Sequence, residues 1–382
     1  MKIAINCAFF QPRGGGIAEY IYNLVSNIEK IDDKNEYILY VLKDIEEDAK
    51  KRLTSRFRVK YLPYGSSYAD VLKRSMFEQR FWSKEETTEK FDLFHSPFFH
   101  SPTFKKAKVI ITVHDMRFYR FPHTYKRLRY LFLKYKVKKS VNAANHIIAI
   151  SEFTKNEIIE AYGTPSHKIT VIPEAINRER FSLQQTNKVQ DDISLLNSGY
   201  ILSVGHIEPR KNYERLIAAF RKLKEQREFS SIKLVIVGKK DHHCDSVMRM
   251  IDKTPDVVYK NFVSHEMLLW LYSHARLFVF PSFYEGFGFP PLEAGNLGVI
   301  SAVSNVSSIP EVCGDAVAYF NPYDIEEIKD VMAKCLSDCN LRKQLRDNMV
   351  LQLDKLSWQR NARQTIDLYE SIIASKNELK NL

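Results

Sequence analysis

Two carboxylates eight residues apart, Glu285 and Glu293, enclose the stretch Gly-Phe-Gly-Phe-Pro-Pro-Leu and follow the apolar run LFVFPS. They stand too far apart for one helical turn. Gly286 and Gly288 are expected to keep the intervening loop flexible, and Pro290-Pro291 is placed to open a helix. Glu285 is then expected in a loop at a strand's end, and Glu293 in the first turn of the helix. The backbone N–H groups between them, among them those of Phe287 and Gly288, would form an anion site with the helix N-terminus. Carboxylates that grip hydroxyls at either end, with amides holding phosphates between, suit a nucleoside diphosphate sugar. The plainer alternative makes Glu293 an ordinary complement to the helix dipole.

Other segments carry complementary chemistry. In VGHIEPRKN, Arg210 and Lys211 follow the run YILSV. A guanidinium can bind two phosphate oxygens at once and an ammonium acts as a point charge, so the pair suits a diphosphate; a solvated surface pair is the alternative. Gly14-Gly15-Gly16 lies between the first apolar run and the first helical pattern. Glycines there let amides approach a phosphate or sugar, or simply make a tight turn. His114 ends the run VIITV and could donate to a substrate hydroxyl, or be structural. Ser151 in SEFTKNEI is placed to cap a helix, and Ser308-Ile-Pro-Glu311 reads as a similar strand-to-helix turn. There is no Asp-x-Asp and no Cys-x-x-Cys, so no metal site is expected. Five cysteines, an odd number, suit reduced thiols in a cytoplasm, with Cys335 and Cys339 sharing one helix face.

These residues need elements to hold them. At 382 residues, two domains are expected. Strand-like runs are Ile3–Ala8, Tyr37–Leu42, Val109–Val113, Ile147–Ile150 and Thr170–Ile172, then Tyr200–Val204, Leu234–Val237, Leu277–Phe280 and Val299–Ala302. Ile17, Ile21, Leu24, Ile28 and Ile31 recur at helical spacing. Strands alternating with helical patterns imply parallel sheets. Residues 181–199 are polar and unpatterned and read as a linker between domains 1–180 and 200–356. The expectation is an α/β fold of two doubly wound domains facing a cleft, with ligands beyond the carboxyl ends of the strands.

The net charge is +11, and all of it belongs to the first 180 residues. Residues 105–139 hold twelve bases and one acid, Asp115, and YKRLRYLFLKYKVKKS interleaves bases with Leu, Tyr, Phe and Val. That pattern fits an anionic membrane surface, or a solvated helix whose apolar face packs on its own domain. No motif of a nucleic-acid-binding module accompanies it, and no apolar run is long enough to span a bilayer.

Taken in order, GGGIAEY, TVHD, ISEFT, VIPEAIN, VGHIEPRKN, PSFYEGFGFPPLEA and SSIPEVCGDA resemble the family 4 retaining glycosyltransferases over nearly the whole chain. The wording is similar to the bacterial mannosyltransferases that build O-antigen and capsule. The resemblance implies the GT-B fold: two Rossmann-like domains, the first binding acceptor, the second nucleotide sugar, and a helix within 357–382 returning to the first. It also implies roles. Arg210 and Lys211 would neutralise the diphosphate, and Glu285 would contact sugar hydroxyls. The amides of Phe287 and Gly288 would lie near sugar and phosphate, and Glu293 would bind the ribose. Gly15 and Gly16 would approach the phosphate, and His114 would reach the transferred sugar. Gly295 and Asn296 depart from the family's pattern, and a shorter or bent helix is expected there. The implied substrates are a nucleotide diphosphate sugar, GDP-mannose ahead of UDP-hexoses, GDP-fucose and dTDP-rhamnose, and a glycan acceptor on a polyprenyl diphosphate at the inner face of the plasma membrane. No cofactor or metal is expected. A sugar-nucleotide epimerase of the same fold and a non-catalytic nucleotide-sugar binder are the rivals.

Overall fold

The computed structural model describes residues 1–11, 15–66, 68–181, 199–241 and 244–378. The expected linker therefore lies almost wholly outside the described residues, as does Gly14. The chain forms two compact units, Met1–Glu174 with Ser357–Leu382, and Ala175–Leu356. The first unit ends before residue 180 because the following segment packs on the second: Arg178 pairs with Asp354, and the carbonyl of Phe181 accepts from Asn296.

In the first unit the strands are β1 (Lys2–Asn6), β2 (Glu36–Val41), β3 (Arg58–Tyr61), β4 (Leu93–Ser96), β5 (Lys108–Val113), β6 (His146–Ala149) and β7 (Ile169–Val171). They form one parallel sheet in the order 3-2-1-4-5-6-7. β1, β4 and β5 are buried nearly throughout, as strands covered on both faces must be, which is why β1 and β5 read as apolar runs; β4, LFHS, does not. In the helix Gly15–Ile31, Ala18, Ile21, Leu24, Val25 and Ile28 form the buried stripe. The helix Trp358–Glu378 returns to this unit and buries Ala362, Thr365, Ile366 and Tyr369 at spacings of three and four. Burying a side chain of Ile size contributes ~1.5–3 kcal/mol, so this stripe alone holds the helix in place.

The second unit holds β8 (Tyr200–Val204), β9 (Lys233–Val237), β10 (Val257–Lys260), β11 (Leu277–Phe280), β12 (Ser301–Ser304) and β13 (Ala318–Phe320). They too are parallel, in the order 10-9-8-11-12-13. β12 begins at Ser301 and not at Val299. Cys335 and Cys339 do not share a helix: Cys335 is buried in Ile325–Ser337, whereas Cys339 opens Cys339–Lys355 and is exposed. The strand order reverses between β1 and β4 in one sheet and between β8 and β11 in the other. In doubly wound sheets, ligands bind beyond the strand ends at such switch points.

Candidate active site

The switch between β8 and β11 sets two loops side by side, residues 205–212 and 281–288. The Phe283 N–H donates to the Arg210 carbonyl at 2.8 Å, and the Asn212 side-chain amide donates to the Pro281 and Pro322 carbonyls at 3.1 and 2.8 Å. Asn212 sits at φ 57°, in the left-handed region that asparagine tolerates better than most residues. It leads directly into the helix Tyr213–Lys224. Its stitching role escaped the sequence reading, although PRKN displayed the residue.

Across these loops lies a charged quartet. Arg210 Nη1 is 2.8 Å from Glu285 Oε2, Lys211 Nζ is 2.6 Å from Glu285 Oε1, and Arg210 Nε is 2.8 Å from Glu208 Oε1. Arg210 Nη1 also donates to the Tyr284 carbonyl at 2.8 Å. Glu208 is almost wholly buried, so Arg210 is aimed from behind by a carboxylate that the sequence reading passed over. Burial pushes the Glu285 carboxyl up, but the adjoining Arg210 and Lys211 charges outweigh it and hold it at about 2. Burial pushes the Lys211 ammonium down, against the pull of Glu285. Two cations and two carboxylates leave the quartet formally neutral. A guanidinium and an ammonium held this way can exchange a carboxylate partner for a phosphate without moving far.

The loop after Glu285 is pinned, not flexible. The Glu285 N–H donates to Ser307 Oγ at 3.1 Å, and Ser308 Oγ donates to the Glu285 and Phe287 carbonyls at 2.9 and 3.0 Å. Ser308 therefore ties down this loop and makes no side-chain cap for the helix Ile309–Cys313. Gly288 sits at φ 100°, where any other residue would be strained. It precedes the helix Phe289–Asn296, with prolines in its first turn. Glu293 is the fifth residue of that helix, so it lies beyond the first turn and cannot serve as first-turn dipole complement. Its Oε2 accepts from the Tyr272 hydroxyl at 2.9 Å, a different partner from those of the quartet. The helix includes Gly295 and ends at Asn296. Gly295 is required because a Cβ there would stand 2.5 Å from the Met349 side chain.

In the first unit, Gly15 and Gly16 open the helix Gly15–Ile31, and among the described residues nothing stands within 4 Å of a Cβ built on either. Gly15 is at φ 64°, so the need for glycine is conformational. The same helix carries Tyr20 edge-on to His114, with ring centroids 4.8 Å apart. His114 follows β5 and has both ring nitrogens engaged: Nδ1 lies 2.9 Å from Glu174 Oε1 and Nε2 3.1 Å from the Pro97 carbonyl. Burial pushes its pKa down, but Glu174 prevails and raises it. Glu174 lay in plain view in VIPEAIN without a role. Ser151 does cap its helix, accepting from the Thr154 N–H at 3.1 Å.

The basic stretch forms the helix Arg127–Ala143. Val137 and Val141 are buried against their own unit. Leu128 is 83% exposed, and Leu131, Phe132 and Tyr135 are 50–65% exposed, among exposed Arg127, Arg129, Lys134, Lys138 and Lys139. Among the described residues, no helix is long and apolar enough to cross a membrane.

Residues 14–180 match the model of Glycosyltransferase Family 4, and residues 185–351 that of Glycosyl transferases group 1. The O-antigen chain mannosyltransferase B of Escherichia coli is 30% identical over 283 residues, covering 73% of this chain and 74% of that protein. The serotype-specific mannosyltransferase WbdA of Escherichia coli is 32% identical over 243 residues, or 62% of this chain and 30% of that longer protein. Sucrose-phosphate synthase from Thermosynechococcus elongatus, 17% identical, superposes with a TM-score of 0.76 over 98% of this chain and 100% of its own. Two parallel switch-point sheets, a charged quartet at the second switch and a match to both halves lead to one assignment: the chain is a glycosyltransferase of family 4, with the GT-B fold.

Proposed function

We propose that this glycosyltransferase moves a mannosyl residue from GDP-mannose onto a lipid-linked or oligosaccharide acceptor of a bacterial surface polysaccharide, with retention at the anomeric carbon. The observation that carries the proposal is the quartet Glu208–Arg210–Lys211–Glu285 at the β8/β11 switch. The choice of mannose rests on the names of the relatives. In this reading the diphosphate takes the place of the Glu285 carboxylate on Arg210 and Lys211, and Glu285 turns to sugar hydroxyls. Amides of the Phe287–Gly288 segment and of Gly15 and Gly16 serve the phosphates, Glu293 the ribose, and His114 a hydroxyl of the transferred sugar.

The bond from the sugar's anomeric carbon to the phosphate oxygen breaks through an oxocarbenium-like transition state. The acceptor oxygen bonds to that carbon on the same face, and its proton passes to the departing phosphate. Charge develops on the leaving diphosphate, and cations already fixed in place stabilise it without reorganisation. Arg210 and Lys211 would do what a divalent ion does in metal-dependent transferases.

The acceptor's polyprenyl diphosphate would place the reaction at the inner face of the plasma membrane. The helix Arg127–Ala143 supports this through its exposed bases and exposed Leu128, Leu131, Phe132 and Tyr135, a composition that matches an anionic lipid surface. The test is radiolabel transfer into extracted lipid-linked glycan from GDP-mannose, UDP-glucose, UDP-galactose, GDP-fucose and dTDP-rhamnose in parallel. Incorporation from GDP-mannose alone is expected; incorporation from a UDP-sugar alone overturns the donor, and sugar-nucleotide epimerisation without transfer overturns the activity.

A further inference from the structure

We propose that Glu174 is the positioning residue of the first unit, holding His114 as a doubly protonated imidazolium in one fixed ring orientation. The proposal deepens the reading in which His114 acts on the transferred sugar, and rests on it.

The geometry is a matter of donors and acceptors. The Pro97 carbonyl can only accept, so the 3.1 Å contact requires a proton on Nε2. An ionised carboxylate can only accept, so the 2.9 Å contact to Glu174 requires a proton on Nδ1. Beside an ionised Glu174, a neutral imidazole, with its one N–H, would set a lone pair against an oxygen at one of the two contacts. Glu174 is 2% exposed and the His114 side chain 14%, so water does little to dilute the pair. Three chain segments converge on one ring: Pro97 after β4, His114 after β5 and Glu174 after β7.

The other groups around the ring agree. Tyr20, on the helix Gly15–Ile31, meets it edge to face and donates no charge. Asp115, the next residue, adds a second favourable carboxylate. His95, on β4, is the neighbouring titratable group. Its Nδ1 lies 2.6 Å from the Tyr369 hydroxyl and its Nε2 2.8 Å from Thr112 Oγ1, and both hydroxyls can donate or accept. Burial, and secondarily the charge on His114, push His95 down to about 3. Of two histidines in one buried network, the one facing a carboxylate takes the proton and the one facing hydroxyls stays neutral. His114 then presents a standing positive charge at the carboxyl ends of β4 and β5, beside the strand-order switch. Both of its N–H groups are committed to Glu174 and Pro97, so it would act on a sugar or phosphate oxygen through that charge and not as a free donor.

The experiment is a ring 15N NMR titration of histidine-labelled protein, with turnover measured over the same pH range, for wild type, Glu174→Gln and Glu174→Asp. In wild type, both His114 nitrogens should carry protons at pH 7. In Glu174→Gln, an isostere without charge, deprotonation should move to lower pH. Turnover at the wild-type half-maximal pH should then fall at least about fivefold, since losing a contacting opposite charge lowers the titration by about one pH unit or more. Glu174→Asp should restore part of the shift, and unfolding temperature should not track the effect. A wild-type ring that is singly protonated at pH 7, or a titration that Glu174→Gln leaves in place, overturns the proposal without any reference to turnover. If the titration moves as stated but His114→Ala turns over normally, the positioning of the charge stands and the role of His114 in transfer falls.

Discussion

Replacing Glu285 with Gln removes one negative charge from the quartet and keeps its shape. In the wild type, Glu285 is held at about 2 against an ordinary 4.5, close to 2.5 pH units. At ~1.4 kcal/mol per unit, its ionised form contributes about 3 kcal/mol to folding at pH 7. Because the pKa is depressed in the fold, that stability is complete above about 4.5 and is lost as pH falls through about 2. The variant leaves Arg210 and Lys211 facing Glu208 alone. Each kcal/mol moves the midpoint by ~2–4 °C in a unit of this size, so unfolding at pH 7 should come ~6–12 °C earlier. The gap between variant and wild type should close as both are taken toward pH 2. A nucleoside diphosphate brings back negative charge, so saturating GDP should raise the midpoint of the variant more than that of the wild type. Calorimetric scans at pH 7, 4 and 2, with and without GDP, measure all of this. A variant that melts with the wild type at pH 7, or gains less from GDP than the wild type does, refutes the view that Glu285 occupies the cations' phosphate-binding positions.

Changing Arg210 and Lys211 together to Ala should weaken GDP binding by at least about a hundredfold by isothermal calorimetry, given two charge-assisted contacts at ~1.5–3 kcal/mol each; unchanged affinity removes them from the site. Transfer activity should persist in excess chelator, and a complete loss that Mg²⁺ or Mn²⁺ restores would contradict the assignment of the metal's work to side chains. Sedimentation with vesicles should rise with anionic lipid, fall in high salt, and drop when Lys134, Lys136, Lys138 and Lys139 become Gln. At ~1 kcal/mol per base near a charged surface, four such losses would release most of the bound protein. Equal binding to neutral and anionic vesicles would sink the electrostatic attachment.

Continuous apolar runs made most of the central strands legible: β1, β5, β8 and β11 are short, uninterrupted and buried on both faces. β4 was not legible, because LFHS ends in two polar residues. Its burial depends on His95 meeting Tyr369, 274 positions away, which no local pattern displays. The edge strands β3 and β10, RVKY and VVYK, carry solvent-facing charge and so lose the apolar signature. At the site, the residue types and their order could be read, but their partners could not. Glu208 and Glu174 are ordinary carboxylates in sequence, and only the fold shows each one buried against a cation-forming side chain. The Glu285–Gly288 loop read as flexible from its glycines. Ser307 and Ser308, 22 and 23 residues from Glu285 and beyond β12, are what hold it still.

The proposed reaction is hexosyl transfer with retention, driven by a diphosphate leaving group on Arg210 and Lys211. The most direct test is proton NMR of the first product formed from GDP-mannose and the lipid-linked acceptor, recorded before any anomeric equilibration. The anomeric configuration of the donor, α, is predicted in the new glycosidic bond; a β-linked product, or release of free mannose with no glycoside formed, would contradict it.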